Sequence, residues 1–301
     1  MVKFDLSFST RSGAVGNTVC LLLLVFVLFS CATRHHPPFT TKPPQQRSLL
    51  AYEKRLHSAV AASPHLTMEA IGQVAYPDFQ AKLHRIHFQA VPSPAYRVLV
   101  NAAIHGNEPA AAEMAAQLVE YLSKAPDIYK SMAVDIIPLV NPWGWVHDIR
   151  YNQAGIDINR DFASFKSQEA RLIKALLEGR RFDLMVDLHE DPRARGFYLY
   201  HYALADKSVS EKIIGVIQDM GYPIEQDVSM IILKTENGII DAPMWGLRYM
   251  RLTGQLSIAN YYRLNNSQRV FTVETPTSMD WEDRLVMQRT ALTTLFEQRP
   301  K

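Results

Sequence analysis

The stretch from Arg97 to Ile104 narrows most sharply the folds open to this chain. Its run of Val, Leu, Ala and Ile reads as a buried strand, and His105-Gly106-Asn107-Glu108-Pro109 cuts it off. An alanine-rich helix follows to about Ser123, with Pro109 at the first helical position, where its missing N–H costs nothing. The same grammar recurs downstream. A buried strand over Val134 to Val140 is broken by Asn141-Pro142, and a helix near Gln168 to Glu178 leads into a strand over Asp183 to Leu188. Lys82 to Ala90 alternates as a strand does, and further strands are predicted at Gly196 to Tyr202 and Arg269 to Thr275. A helix over Leu49 to Ala62 precedes all of these, and another closes the chain from about Asp283. Strands alternating with helices predict an α/β domain, a mixed and mostly parallel sheet sandwiched between helices.

At 301 residues the chain has room for one large domain, and its net charge of +2 gives a nucleic acid no reason to bind. The N-terminus follows a different logic. Lys3 and Arg11 precede an unbroken apolar run from Val19 to Phe29, too short for a comfortable membrane span but suited to a secretory signal. The run ends in Leu28-Phe29-Ser30-Cys31, which resembles the lipobox of bacterial lipoproteins. The reading adopted is a signal peptide over 1–30, cleavage before Cys31 and lipidation of that residue. An ordinary signal peptide, or an uncleaved anchor with an incidental cysteine, is the alternative. Proline pairs at Pro37-Pro38 and Pro43-Pro44 make the next stretch a tether, so 31–66 is assigned as tether and short helix and 67–301 as the catalytic domain. Only Cys20 and Cys31 are present. The mature domain therefore has no disulfide, thiol nucleophile or thiolate ligand.

His105 and Glu108 fall where a buried strand turns into a helix, and their spacing lets both side chains converge on one point. Alone, such a pair is better read as a surface pair. His189 adds a second imidazole at the end of the apolar strand Leu184-Met185-Val186-Asp187-Leu188. Two histidines and a carboxylate form a zinc set with one position left open, the catalytic form of such sites. The absence of thiolates disfavours copper(I) and iron–sulfur sites. Glu274, in Phe271-Thr272-Val273-Glu274-Thr275-Pro276, is either half of a salt bridge or a general base for the water that zinc acidifies. Arg150 and Arg160 flank a polar loop. Either could clamp a carboxylate or stabilise an oxyanion, or be an ordinary surface arginine.

Taken in order, His105-x-x-Glu108, Asn141-Pro142-Trp143-Gly144, Asp157-x-Asn159-Arg160, Asp187-Leu188-His189 and Thr272-Val273-Glu274 resemble the zinc carboxypeptidase family. That family includes the succinylglutamate desuccinylase and aspartoacylase branch. The resemblance implies one zinc held by His105, Glu108 and His189, with Glu274 as general base. It implies that Arg150, nine residues before Asn159, polarises the scissile carbonyl. Asn159 and Arg160 would bind the substrate's free carboxylate, and Asp157 would orient a ligand histidine. Tyr249, ahead of Thr253-Gly254, is the first choice for the family's mobile tyrosine and Tyr261 the second. The specificity region near Leu256 and Ile258 has no acid to select a basic side chain.

The expected function is a zinc metallocarboxypeptidase acting beside a free C-terminal carboxylate, on cell-wall or other envelope peptides. An N-acyl amino-acid amidohydrolase with the same metal centre is the rival. A non-catalytic envelope binding protein on the same fold is the third reading, and Glu274 with both arginines argues against it. The expected place is the cell envelope, as a periplasm-facing lipoprotein held to a membrane by its lipid, or else secretion.

Overall fold

The computed structural model describes residues 47–124, 129–204, 206–226, 228–230 and 233–298. The expected signal peptide, Cys31 and most of the tether lie outside the described residues. No described helix is long and apolar enough to cross a membrane.

Ten strands are described: β1 (Leu66–Ala75), β2 (Gln80–Gln89), β3 (Tyr96–Ala102), β4 (Met132–Ile137), β5 (Leu184–Asp191), β6 (Tyr198–Tyr202), β7 (Ser229–Met230), β8 (Leu233–Lys234), β9 (Ile239–Ala242) and β10 (Val270–Pro276). Eight of them form one sheet in the order β1-β2-β4-β3-β5-β10-β6-β9, while β7 and β8 form a small ribbon. The centre is parallel, β4 with β3, β3 with β5 and β5 with β10. Antiparallel pairings add β2 and β1 on one side and β6 on the other.

The helices are α1 (Leu49–Ala61), α2 (Pro109–Lys124), α3 (Pro142–His147), α4 (Gln168–Leu177), α5 (Ser208–Asp219), α6 (Met244–Leu252), α7 (Ile258–Asn265) and α8 (Trp281–Glu297). They cover both faces of the sheet. One core contains Val98 and Val100 of β3, Val186 and Leu188 of β5, and Phe271 and Val273 of β10, with apolar residues of α1, α2, α5 and α8. The other contains Leu99, Met185 and Val270 from the same strands, packed with α4, α6 and α7. The alanines of α2 allow that helix to lie close on the sheet; Ala110, Ala111, Ala115 and Ala116 are fully buried. Helix α1 belongs to the same compact unit as the sheet. Its Tyr52 hydroxyl donates to the carbonyls of Ala112 and Pro138, and Arg55 forks across Glu113 and Glu120 of α2.

Strand alternation places the site. Successive side chains point to opposite faces, so the residues between the apolar positions of β3, β5 and β10 share a face. Those residues are Asn101 on β3, Asp187 and His189 on β5, and Thr272 and Glu274 on β10. Asn101 pairs with Asp187 and His189 with Glu274, so the polar set forms one patch at the carboxyl ends of parallel strands. In α/β sheets this is where ligands bind. Strand β5 runs on to Asp191 rather than stopping at Leu188, so His189 sits within the ladder and not beyond its end. Its backbone is paired with β10 at Glu274, while the pairing with β3 ends one residue earlier at Leu188.

The loop after β3 is held equally firmly. Ala103 adopts a left-handed φ of 52° as the chain leaves the sheet, a conformation uncommon outside glycine and often found at functional sites. At Gly106 a Cβ would fall 1.8 Å from the backbone carbon of Gly144, so this loop and α3 touch through their main chains. Arg47 donates to the carbonyls of Gly106 and Trp145 and pairs with Asp148, tying the loop to α3. Gly106→Ala is therefore expected to destabilise the protein by about 1–3 kcal/mol or more through backbone displacement. Thermal unfolding beside the wild type checks this; an unchanged midpoint would contradict the packing described.

Candidate metal centre

Among the described residues, one group of histidine and acidic side chains is spaced to hold a metal ion: His105, Glu108 and His189, with ligand atoms within 4.8 Å of one another. All three are buried. Glu108 lies between the imidazoles, its Oε1 2.6 Å from His105 Nδ1 and its Oε2 2.7 Å from His189 Nδ1.

The far nitrogen of each ring faces a carboxylate. His189 Nε2 is 2.8 Å from Asp187 Oδ2, and His105 Nε2 is 3.2 Å from Asp157 Oδ1. A proton donated there fixes the tautomer and leaves the Nδ1 lone pair for a cation, the usual arrangement around ligand histidines. Asp187 is completely buried and accepts a second bond from the Asn101 amide at 2.7 Å. The donor chemistry fits zinc. Two imidazoles aimed inward by carboxylates, one further carboxylate and no thiolate form a set with room for a non-protein ligand.

The electrostatics favour positive charge at this point. Burial opposes ionisation of His189, yet Asp187 and Glu108 hold it well above the usual imidazole range. Burial would likewise raise the Glu108 carboxyl, but the two imidazoles hold it well below the usual carboxylate range. Asp157 is held low by His105, Arg150 and Arg160 against the same burial penalty.

Arg150 donates through Nε and Nη2 to Asp157 Oδ2 at 3.1 and 3.0 Å, and its Nη1 lies 3.6 Å from Glu108 Oε1. This half-buried guanidinium borders the cluster. Asn159 is buried, its side-chain Nδ2 3.3 Å from His189 Nε2 and its Oδ1 accepting from the Ile258 N–H at 3.0 Å. Arg160 folds back to donate to the Asn159 carbonyl, leaving its guanidinium half-buried near Asp157 and Tyr200. Glu274 stands beside His189 across β5 and β10. Enclosure in the protein pushes its pKa up to about 8; Glu108, Asp191 and Asp187 add to that shift while His189 opposes it.

The tyrosines named from sequence are not gathered here. Tyr249 lies on the outward face of α6, 42% exposed, with no hydrogen bond or ring contact to the cluster. Tyr261 packs on Phe162 and Phe165.

Four supporting residues carry no role in the sequence reading. Asp187 was within reach of it, because residues two apart on a strand share a face. Asn141 caps α3 through the Gly144 N–H and donates to the carbonyls of Ile104 and Arg150, joining the two loops that bear His105 and Arg150. The Asn152 side-chain Oδ1 accepts from the Ala154 and Ile156 N–H groups, shaping the Arg150–Asp157 loop. Glu190 accepts from the Ala110 N–H at 2.7 Å and from Arg284 at 2.7 Å, capping the helix that follows Glu108. Removing the carboxylate that orients a ligand histidine typically weakens metal binding about 10–100-fold, and Asp187→Asn is expected to do so here. Competition with a chelator reads this directly; wild-type affinity in the variant would show that Asp187 does not orient His189.

Residues 94–232 match the family model of the succinylglutamate desuccinylase/aspartoacylase catalytic domain. No curated protein matches the chain. Among solved structures, the chain is similar to a candidate metallopeptidase of Shewanella amazonensis at 19% identity and a TM-score of 0.67, covering 82% of this chain and 91% of that one. It is also similar to a metallo-carboxypeptidase of Burkholderia cenocepacia, with 16% identity, a TM-score of 0.60 and coverage of 83% and 69%. Carboxypeptidase A of Helicoverpa armigera shares 13% identity and a TM-score of 0.62 over 95% of this chain and 82% of that one. The chain thus matches that catalytic domain over residues 94–232 and shares the fold of these metallopeptidase and carboxypeptidase structures.

Proposed function

We propose that the protein is a zinc-dependent metallocarboxypeptidase that hydrolyses an amide bond next to a free carboxylate. The observation that carries this reading is the convergence on one sheet face of His105, Glu108 and His189 with Glu274 beside them and Arg150 at the margin. His105, His189 and Glu108 would hold the ion, the imidazoles through the nitrogens that face Glu108 and Glu108 through its carboxylate. Zinc, when bound, supplies Lewis acidity that polarises a carbonyl and acidifies water.

The protein's own groups do the rest. Glu274 accepts a proton from the attacking water on a carboxylate oxygen and passes it to the departing nitrogen. The Arg150 guanidinium stabilises negative charge on the carbonyl oxygen, with Asp157 holding it in position. Arg160, with Asn159 beneath it, receives the substrate's carboxylate. The apolar run before Cys31 supports substrates in the cell envelope, peptides of the cell wall among them, and a lipid at Cys31 as the membrane attachment.

A second reading is favoured by one finding. The family model over residues 94–232 belongs to the desuccinylase and aspartoacylase branch, which points to N-acyl amino acids as substrates. Both reactions need the same centre and a free carboxylate. The zinc-loaded protein should be assayed against peptides, murein fragments and N-acyl amino acids together. Release of C-terminal residues from peptides supports the first reading, turnover of acyl amino acids alone supports the second, and turnover of none contradicts both.

A further inference from the structure

Tyr198, Tyr200 and Tyr202 occupy alternate positions on β6, so their rings share one face. The pairing of β6 with β10 sets Tyr198 opposite Glu274 and Tyr200 opposite Thr272, and directly opposed residues point the same way. The tyrosines therefore continue the face that carries Asp187, His189 and Glu274. Their ring centroids follow one another at 5.7 and 6.1 Å. All three rings are tethered through their hydroxyls. Tyr198 donates to Asp191 Oδ2 at 2.8 Å, Tyr200 is hydrogen-bonded to Tyr198, and Tyr202 lies 2.8 Å from Thr272 Oγ1. Ile240, Ala242, Leu256 and Ile258 belong to the core cluster that also holds these rings. Swinging a ring aside would break hydrogen bonds and uncover apolar surface.

Tyr200 is the most open of the three, at 9% exposed against 1% for Tyr198 and 6% for Tyr202. It is also the one that senses both Glu274 and the Arg160 guanidinium. We infer that Tyr200 walls the space that takes the side chain of the carboxylate-bearing residue, and that it restricts that residue to glycine or alanine size. This rests on the reading that hydrolysis occurs between Glu274 and a carboxylate held at Arg160. A ring pinned at its hydroxyl fills the volume a large side chain needs.

The test uses the zinc-loaded full chain and two readouts. Binding of methylsuccinic and benzylsuccinic acid is measured by calorimetry, since each offers one carboxylate for the metal, one for Arg160 and a small or large side group between. Hydrolysis is measured on peptides and N-acetyl amino acids ending in glycine, alanine, leucine or phenylalanine. The wild type should bind the methyl diacid more tightly and favour alanine over phenylalanine by at least about tenfold in kcat/KM. Tyr200→Ala should reverse the order, and Tyr200→Phe should keep it, because the ring volume remains. If Tyr200→Ala does not fold, the order in the wild type and in Tyr200→Phe still decides. A wild-type preference for the benzyl diacid and phenylalanine overturns the inference and leaves the proposed function standing. A zinc-loaded protein that binds neither diacid and cleaves neither series removes the proposed function, and the inference with it.

Discussion

Glu274→Gln is expected to retain one zinc per chain and to lose about 10²–10⁴-fold in kcat, the range attributed to a positioned general base. The substitution keeps size and removes only the ability to take a proton. Glu274 is outside the group proposed to hold the metal, so metal content should be unchanged. A pH profile sharpens this. The base works only when ionised, so kcat/KM should fall as pH drops through its pKa. Without metal that pKa lies at about 8 because the carboxyl is enclosed among other acids. A dication beside His189 and Glu108 favours the ionised form, so the acid limb of the loaded enzyme should lie below pH 8. Wild-type turnover in Glu274→Gln would remove this residue from the mechanism, and an acid limb above pH 8 would contradict the electrostatic account.

His189→Ala should have a different signature, loss of the metal itself. The variant removes one of the three proposed ligands and leaves Glu108 buried with His105 as its remaining imidazole partner. Breaking a buried charged pair typically costs about 3–5 kcal/mol, so the metal-free variant should also unfold earlier than the metal-free wild type. Metal analysis after dialysis, with a melting curve for each form, separates the two effects. Wild-type zinc stoichiometry in His189→Ala would exclude it as a ligand.

The strands and the residues at their ends were legible from the chain because they follow from local patterning. The apolar run before His105, the proline at position 109 and the apolar strand before His189 each carry their own signal. Bounds moved by a few residues, as with β5, because ladder pairing and not composition decides where a strand stops. The segment from Ser208 to Asn265 carries the weakest local signal. Its helices are short or lie at the surface, α6 with a single fully buried residue, Leu247, and they take their place from packing on the sheet.

The supports of the site were hidden for a different reason. Arg284 and Glu190, Asn101 and Asp187, and Arg47 and Gly106 are far apart along the chain, and only the folded sheet brings them together. No spacing rule reports such pairs. Tyr249 shows the converse. Its position before Thr253-Gly254 suggested a place at the site, whereas the helix that carries it turns the side chain outward. Tyr200, given no role from the sequence, stands opposite Thr272 on the face that carries Glu274 because β6 pairs with β10.

The central claim is that one zinc ion, held by His105, Glu108 and His189, is required for amide hydrolysis. Titrating zinc into metal-stripped protein while following both binding and hydrolysis of a carboxyl-terminal amide tests it most directly. Activity should rise in proportion to bound zinc and level off at one equivalent, with no recovery in His189→Ala. Activity that is full before zinc is added, or that does not follow occupancy, would contradict the claim.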